Sequence, residues 1–233
     1  RNELFARARG EYIALMDADD ISLPERLEKQ LHHLDTTGYD AAGCAISLLY
    51  PDGTLRPGAR FPSEPAHVRQ ALLTSIAMCH AAIVFRTSLA RDLGGYRARV
   101  GLAYDLELLI RLSERAAISN VPDCLYIYRQ QPGSLSATRQ SQQTNSAVLA
   151  RMLAVERRLY GTDSLHLYSD ADLETTMNGA FVLPRGRTPD EQRQILLTLI
   201  KQVLRSHPWS GPQARHALRA LRRMGRAAPG VHL

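Results

Sequence analysis

An α/β layered fold with a C-terminal α-helical appendage is expected from three features of this 233-residue sequence. Short apolar runs of strand length alternate with amphipathic stretches up to about residue 130. Gly and Pro punctuate the runs, as turns require. Past residue 140 the strand-like runs cease and helical patterns remain.

The elements follow in order. Residues 2–9 read as the last turns of an amphipathic helix, with Leu4, Phe5 and Ala8 on one side and Gly10 as its stop. Tyr12–Met16 reads as a buried strand. Ser22-Leu23-Pro24-Glu25 has capping-box spacing with Pro in the first turn, predicting a helix to about Thr36 with Leu27, Leu31 and Leu34 inward and Gly38 as its end. Ala41–Tyr50 is the next strand, and Pro51-Asp52-Gly53 predicts a hairpin turn followed by loop over 54–63. A helix starts at Pro65 and runs to roughly Ser75. Ala81–Phe85 is a strand, and Thr87 caps a short helix ending at Gly94-Gly95. Asp105–Ala116 carries a helical apolar stripe (Leu106, Leu109, Ile110, Leu112) and a Glu107–Arg111 pair at i,i+4. Ile118–Tyr128 holds one strand or two, broken near Pro122. Gln130–Ser136 is loop, and a long helix runs from Ser136 to about Tyr160. Shorter helices follow at Asp170–Gly179, Pro189–Ser206 and Pro212–Arg226.

Composition narrows the classes. Hydrophobic residues make up 45% and charged residues 22%, ordinary values that exclude collagen, general disorder and a disulfide scaffold. Cys44, Cys79 and Cys124 are few, odd in number and far apart, which reads as buried reduced thiols and gives no zinc spacing. The longest largely apolar stretch, Ala71–Phe85, is too short to cross a bilayer, which takes ~20 residues. A cytoplasmic protein is the expectation. Charge is uneven: residues 1–184 hold 19 Lys+Arg against 21 Asp+Glu, whereas residues 185–233 hold 10 against 2. The basic helix Pro212–Arg226 suits packing with a solvated basic face. Peripheral contact at the inner face of an anionic membrane is the second reading, and nucleic acid is not expected.

Candidate chemistry sits at strand ends. Asp17, Asp19 and Asp20 follow an apolar strand directly, where open α/β sheets bind ligands. Such carboxylates suit a hard divalent cation, or a solvated turn leading into a helix N-terminus; the cluster alone leaves both open. Taken singly, Asp105 reads as an N-cap, Gly94-Gly95-Tyr96 as a helix end, Arg129 as a surface residue and His80 as a core or turn histidine.

Their order carries more. Ala6-Arg7-Ala8-Arg9-Gly10-Glu11-Tyr12-Ile13-Ala14-Leu15-Met16-Asp17-Ala18-Asp19-Asp20, then Pro24-Glu25-Arg26-Leu27, resembles family 2 glycosyltransferases. So do Leu93-Gly94-Gly95-Tyr96-Arg97, the Asp105-Leu106-Glu107-Leu108 helix and Tyr126-Ile127-Tyr128-Arg129 with its Ser-containing loop. The resemblance covers about residues 2–140. It implies a GT-A mixed sheet flanked by helices, with residues 1–140 as the glycosyltransferase domain and 141–233 as a helical extension.

The resemblance also implies roles. Asp17 and Asp19 match the family's metal- and donor-binding pair, Asp19 coordinating Mg²⁺ or Mn²⁺ on the diphosphate of a nucleotide-sugar donor, with Asp20 as outer support. Arg129 and the Gly133–Ser136 loop face the diphosphate. Gly94, Gly95 and Tyr96 lie on the acceptor side, and Asp105 is the base for a sugar, lipid-linked or protein-linked acceptor hydroxyl. The acid that commonly precedes the base is Tyr104 here, and Gln130-Gln131 stand where the family often has His. The family's nucleotide-binding start, on the order of 60 residues at ~30 per βαβ-type unit, has no counterpart before Arg1. The expectation is an N-terminally truncated, partial sheet with Tyr12–Met16 at an apolar edge. Two alternatives are a haloacid-dehalogenase-like phosphatase using Asp17 and Asp19 and a non-catalytic binding fragment. The first wants Thr or Val where Ile21 stands, and a Lys in place of the ill-sited Lys29 and Lys201.

Overall fold

The computed structural model describes residues 1–134, 138–180, 182–183 and 185–206, without the side chains of 203–206. The expected helix Pro212–Arg226 and residues Ser136 and Trp209 lie outside them. The chain divides into two compact units: Arg1–Tyr96 with Leu108–Thr138, and Arg97–Glu107 with the residues from Arg139 on.

The first unit is built on a mixed sheet of order β1-β5-β3-β6-β2, with β4 paired to β3. The strands are β1 (Tyr12–Ala14), β2 (Ile21–Ser22), β3 (Ala41–Leu49), β4 (Leu55–Pro57), β5 (Val84–Arg86) and β6 (Ile118–Arg129). Helices α1 (Asn2–Arg7), α2 (Arg26–Thr37), α3 (Pro65–Leu72) and α4 (Thr87–Asp92) belong with it, as does most of α5 (Tyr104–Arg115). β3 and β6 pair in parallel at the centre. Ala41–Ala45 are all buried, as expected of a parallel strand covered on both faces. β6 is one strand that passes Pro122 through a bulge: Val121 pairs with Cys44 and Cys124 with Ala45. Pro has no N–H for the ladder, and the bulge removes the need for one. The hairpin forms as expected, with Gly53 at φ 82 and Asp52 Oδ1 accepting from the Thr54 amide at 2.9 Å. The expected loop after it contains β4.

Several local expectations are corrected. Tyr12–Met16 is not a buried strand. β1 spans three residues at the sheet edge, and Met16 beyond it is 51% exposed. The Ser22–Glu25 capping box does not form. Ser22 lies in β2, paired with Tyr126, and its hydroxyl accepts from Arg26 Nε at 2.8 Å. α2 therefore starts at Arg26, and its buried stripe is Arg26, Gln30 and Leu34, leaving Leu27 exposed. Two polar residues tolerate that stripe because backbone carbonyls meet them. Gln30 Nε2 donates to Ala42 O and Ala82 O at 2.7 and 2.8 Å, and Arg26 Nη1 to Leu15 O at 3.2 Å. Thr87 is not the cap of α4. Its amide and hydroxyl donate to Glu11 O and Gly10 O, which ties the start of α4 to the approach to β1. α3 ends at Leu72, and the run from Ala81 to Phe85 is a 3-10 turn (His80–Ala82) leading into β5.

Among the described residues the second unit holds helices joined by turns and no strand, and its segment Ala98–Ala103 is 3-10 helical. α6 (Gln140–Tyr160) buries residues on nearly every side and serves as its core helix. α7 (Asp170–Met177) is capped by Ser169, which exchanges hydrogen bonds with Asp172, and α8 (Pro189–Ser206) runs as expected. Among the described residues no helix is long and apolar enough to cross a membrane.

Candidate active site

The acid turn begins where β1 ends, and its three carboxylates have different surroundings. Asp20 is 7% exposed, with Oδ1 accepting from the Arg129 amide at 2.8 Å. Its Oδ2 is buried without a standard hydrogen bond, within electrostatic range of the Tyr126 hydroxyl. Burial pushes the Asp20 carboxyl above its usual range. Asp19 is exposed; its carbonyl accepts from Arg129 Nε at 2.7 Å and its Oδ2 from Gln131 Nε2 at 3.2 Å. Asp17 is half-exposed. Its amide donates to the Tyr126 hydroxyl at 3.2 Å and its Oδ1 accepts from Arg1 Nη2 at 3.2 Å. Asp20 thus locks the turn onto the end of β6 and presents Asp17 and Asp19 at the surface.

Tyr126 and Arg26 brace this turn from below. Tyr126 is fully buried and the Arg26 guanidinium lies 5.4 Å from its ring centroid. Sequence reasoning gave neither residue a role. Arg26 stood in the quoted motif, but only the paired β2 and β6 reveal what it touches.

The Gly-Gly-Tyr turn is a second built feature of the first unit. Gly94 and Gly95 have φ of 68° and 71°. A Cβ on Gly95 would lie 2.5 Å from Asn2 Oδ1, so the backbone here closely approaches α1. Asn2 completes a clamp: its Nδ2 donates to Tyr96 O at 2.9 Å and its Oδ1 accepts the Tyr96 amide at 2.8 Å. Arg111 donates to Leu93 O and Gly95 O at 2.7 and 2.6 Å. Gly95→Ala is expected to destabilise the protein by about 2–3 kcal/mol, from the left-handed backbone and a lost Asn2 contact. A denaturant midpoint unchanged from wild type would refute this.

Tyr96 stacks on Phe5 at 4.9 Å and its hydroxyl meets His80 Nε2 at 2.9 Å. A pocket of about 240 Å³ beside β1 is lined by Ile13, Met16, Asp17, His80 and Tyr96, among others. Burial, with Arg1 nearby, holds His80 down to about 4, so it is neutral near pH 7. His80 is thus a turn histidine that shares a pocket with Asp17. Nothing in the spacing around it signals that.

Asp105 belongs to the second unit and is half-buried in the first turn of α5. The helix starts one residue earlier, so Asp105 is not the N-cap; its Oδ1 accepts from the Leu106 amide at 2.7 Å. A carboxylate in a first turn is favoured by the helix dipole.

A family model described as "Glycosyl transferase family 2" matches residues 1–94, which include the acid turn. Among curated relatives, EpsE of Bacillus subtilis (strain 168), assigned as a glycosyltransferase, is 29% identical over 170 residues, covering 71% of this chain and 60% of EpsE. The O-antigen biosynthesis glycosyltransferase WbnJ of Escherichia coli is 29% identical over 131 residues, covering 55% of this chain and 51% of WbnJ. Residues 1–94 thus resemble glycosyl transferase family 2. A crystal structure of S. aureus TarS 1-349 in complex with UDP-GlcNAc matches 95% of this chain and 68% of its own, with a TM-score of 0.54 at 14% identity. That likeness shows the fold, and the mixed sheet flanked by helices is the GT-A type expected. The chain spans about half to three fifths of the length of these two curated relatives. Nothing in these likenesses supports the phosphatase alternative.

Asp17 and Asp19 supply two surface carboxylates. Among the described residues no group of three or more His, Cys, Asp or Glu stands ready to hold an ion. Such a pair suits an ion completed by phosphate oxygens and water, the usual Mg²⁺ arrangement in phosphate sites, and does not suit a closed protein cage.

Proposed function

We propose that this chain serves an inverting glycosyltransferase that moves a hexose from a nucleotide sugar to an acceptor hydroxyl in polysaccharide or glycoconjugate synthesis. The observation that carries the reading is the acid turn itself. Asp20 is engaged internally, and Asp17 and Asp19 are held at the surface with Arg129 fastened beside them. The match of residues 1–94 to family 2 and the O-antigen biosynthesis role named for WbnJ support the same reading. The UDP-GlcNAc complex of TarS favours a nucleotide-sugar donor.

Each residue then has a task. Asp17 and Asp19 hold Mg²⁺ or Mn²⁺, which when bound offsets negative charge on the departing diphosphate. The Arg129 guanidinium adds a fixed positive charge on the donor side. Gly94, Gly95 and Tyr96 shape the acceptor side, and the acceptor is a sugar, lipid-linked or protein-linked hydroxyl. Asp105 receives the proton as the acceptor oxygen bonds to the anomeric carbon. The bond from that carbon to the diphosphate oxygen breaks, and its electron pair leaves with the diphosphate. A carboxylate has an unperturbed pKa near ~4 and is a weak base, but the hydroxyl becomes acidic only as it attacks.

Titration calorimetry of UDP-GlcNAc and other nucleotide hexoses with Mn²⁺ tests the donor half. Asp19→Asn is expected to weaken binding at least tenfold. Equal affinity in wild type and Asp19→Asn would remove Asp19 from the donor site. A protein that binds these donors and never releases nucleoside diphosphate would be the binding fragment instead.

A further inference from the structure

The segment that carries Asp105 is held by a partly buried cluster of four charged side chains in the second unit. Arg97 leaves the Gly-Gly-Tyr turn and clasps Asp163 with Nη1 and Nη2 at 2.7 and 2.6 Å. The same Nη1 donates to Glu107 Oε1 at 3.2 Å. Arg157 of α6 places Nη1 2.6 Å from Asp163 Oδ2 and 3.8 Å from Glu107 Oε1. The Glu107 side chain is fully buried and that of Asp163 is 8% exposed. Two guanidinium groups therefore face two carboxylates. Further contacts fasten the segment between Arg97 and Asp105. Arg99 donates to Leu165 O at 3.3 Å and to Tyr168 O, and Ser146 Oγ accepts the Leu102 amide at 3.1 Å. Gly101, at φ 79 and ψ −136, adopts a backbone open essentially to Gly, and a Cβ there would lie 2.8 Å from Ser146 Oγ.

Glu107 shares the first turn of α5 with Asp105. Two residues on a helix are about 200° apart, so Glu107 is buried while Asp105 stays partly open. Stability alone does not explain such a choice. Buried ion pairs are often matched or exceeded by apolar residues of similar volume. What the forked guanidinium bonds supply is orientation.

We propose that Glu107, together with Arg97, Arg157 and Asp163, is a positioning residue that fixes the first turn of α5 and thereby the attitude of Asp105. This rests on the reading of Asp105 as the base. Orientation errors of about an ångström cost on the order of 10²-fold in rate without weakening binding, so the signature is a fall in kcat at constant KM.

The test compares wild type, Glu107→Gln and Asp105→Asn. One readout is nucleoside diphosphate release from the best donor in a panel of UDP-, GDP- and dTDP-hexoses. The other is hydrogen exchange of residues 98–106. Glu107→Gln keeps shape and loses charge. It is expected to lower kcat at least tenfold, to keep donor KM within twofold, and to speed exchange over 98–106 at least tenfold with α6 unchanged. Arg97→Lys keeps charge and loses the fork. It is expected to show the same pattern at about a third of the size, and it decides the matter where Glu107→Gln does not fold. Unchanged kcat in folded Glu107→Gln, beside an inactive Asp105→Asn, overturns the positioning role and leaves the base reading standing. A kcat loss that only tracks the unfolded fraction also overturns it. Turnover surviving Asp105→Asn overturns the base reading, and the cluster then has nothing to position.

Discussion

Asp105→Asn is expected to lower kcat by about 10²–10⁴-fold, the span that general-base assistance supplies, and to leave donor affinity within twofold of wild type. The substitution keeps the shape of the side chain and the oxygen that accepts the Leu106 amide at 2.7 Å. It removes the negative charge and with it the capacity to receive a proton. The loss therefore falls on the chemical step and not on folding or binding. Asp19→Asn gives the opposite pattern, since its contacts are with Arg129 and Gln131 in the first unit. A rate for Asp105→Asn within threefold of wild type would show that some other group, or water, takes the acceptor proton.

Asp163→Ala is expected to destabilise the second unit by about 3 kcal/mol, the lower part of the range for breaking a buried ion pair from one side. Arg97 and Arg157 both donate to this carboxylate, and its loss leaves two guanidinium groups around Glu107 with one negative charge between them. The same group makes stability depend on pH. Although burial raises it, hydrogen bonds from Arg97 and Arg157 outweigh that and hold the Asp163 carboxyl down to about 2, from the usual 3.8. A depressed folded-state pKa gives stability that is present above the unfolded value and lost as pH falls through the folded one. The contribution is therefore intact above pH 4 and disappears between pH 4 and 2, worth about 2 kcal/mol at ~1.4 per pH unit. Denaturant midpoints measured across that window should fall in wild type and fall less in Asp163→Asn. Parallel curves for the two proteins would assign the acid sensitivity elsewhere.

Much of the sheet was legible because its signals are local. The Pro51-Asp52-Gly53 turn, the continuous apolar run of β3 and the glycine stops at Gly38 and Gly94-Gly95 depend on neighbours in sequence. The errors fall where a remote partner decides. Ser22 has the spacing of a cap, but β6 draws it into a strand some hundred residues away in sequence. Leu27 fits an apolar stripe, but Arg26 and Gln30 take the inner face because Leu15, Ala42 and Ala82 offer carbonyls there. Tyr12–Met16 sits at the sheet edge that the resemblance implies, but with half-open side chains where the apolar run alone suggested burial.

The candidate site was legible as residues and much less as an arrangement. Three acids in four positions mark the turn, but not that Asp20 is the buried member and Asp17 and Asp19 the exposed ones. That distinction comes from the Arg129 amide, 109 residues on. Glu107 was legible as half of an i,i+4 pair with Arg111, but not as a fully buried side chain facing Arg97 and Arg157. No periodicity reveals that segment 97–107 groups with the helices past residue 139, because the contacts that place it there come from Arg157, Asp163 and Ser146.

The most direct test separates the two halves of the proposed chemistry in one titration. Donor nucleotide sugar is titrated with Mn²⁺ into Asp105→Asn and into Asp19→Asn, with nucleoside diphosphate release followed in parallel. The account predicts that Asp105→Asn binds donor like wild type and does not turn it over, and that Asp19→Asn fails at binding. Turnover by Asp105→Asn, or full donor affinity in Asp19→Asn, would contradict it.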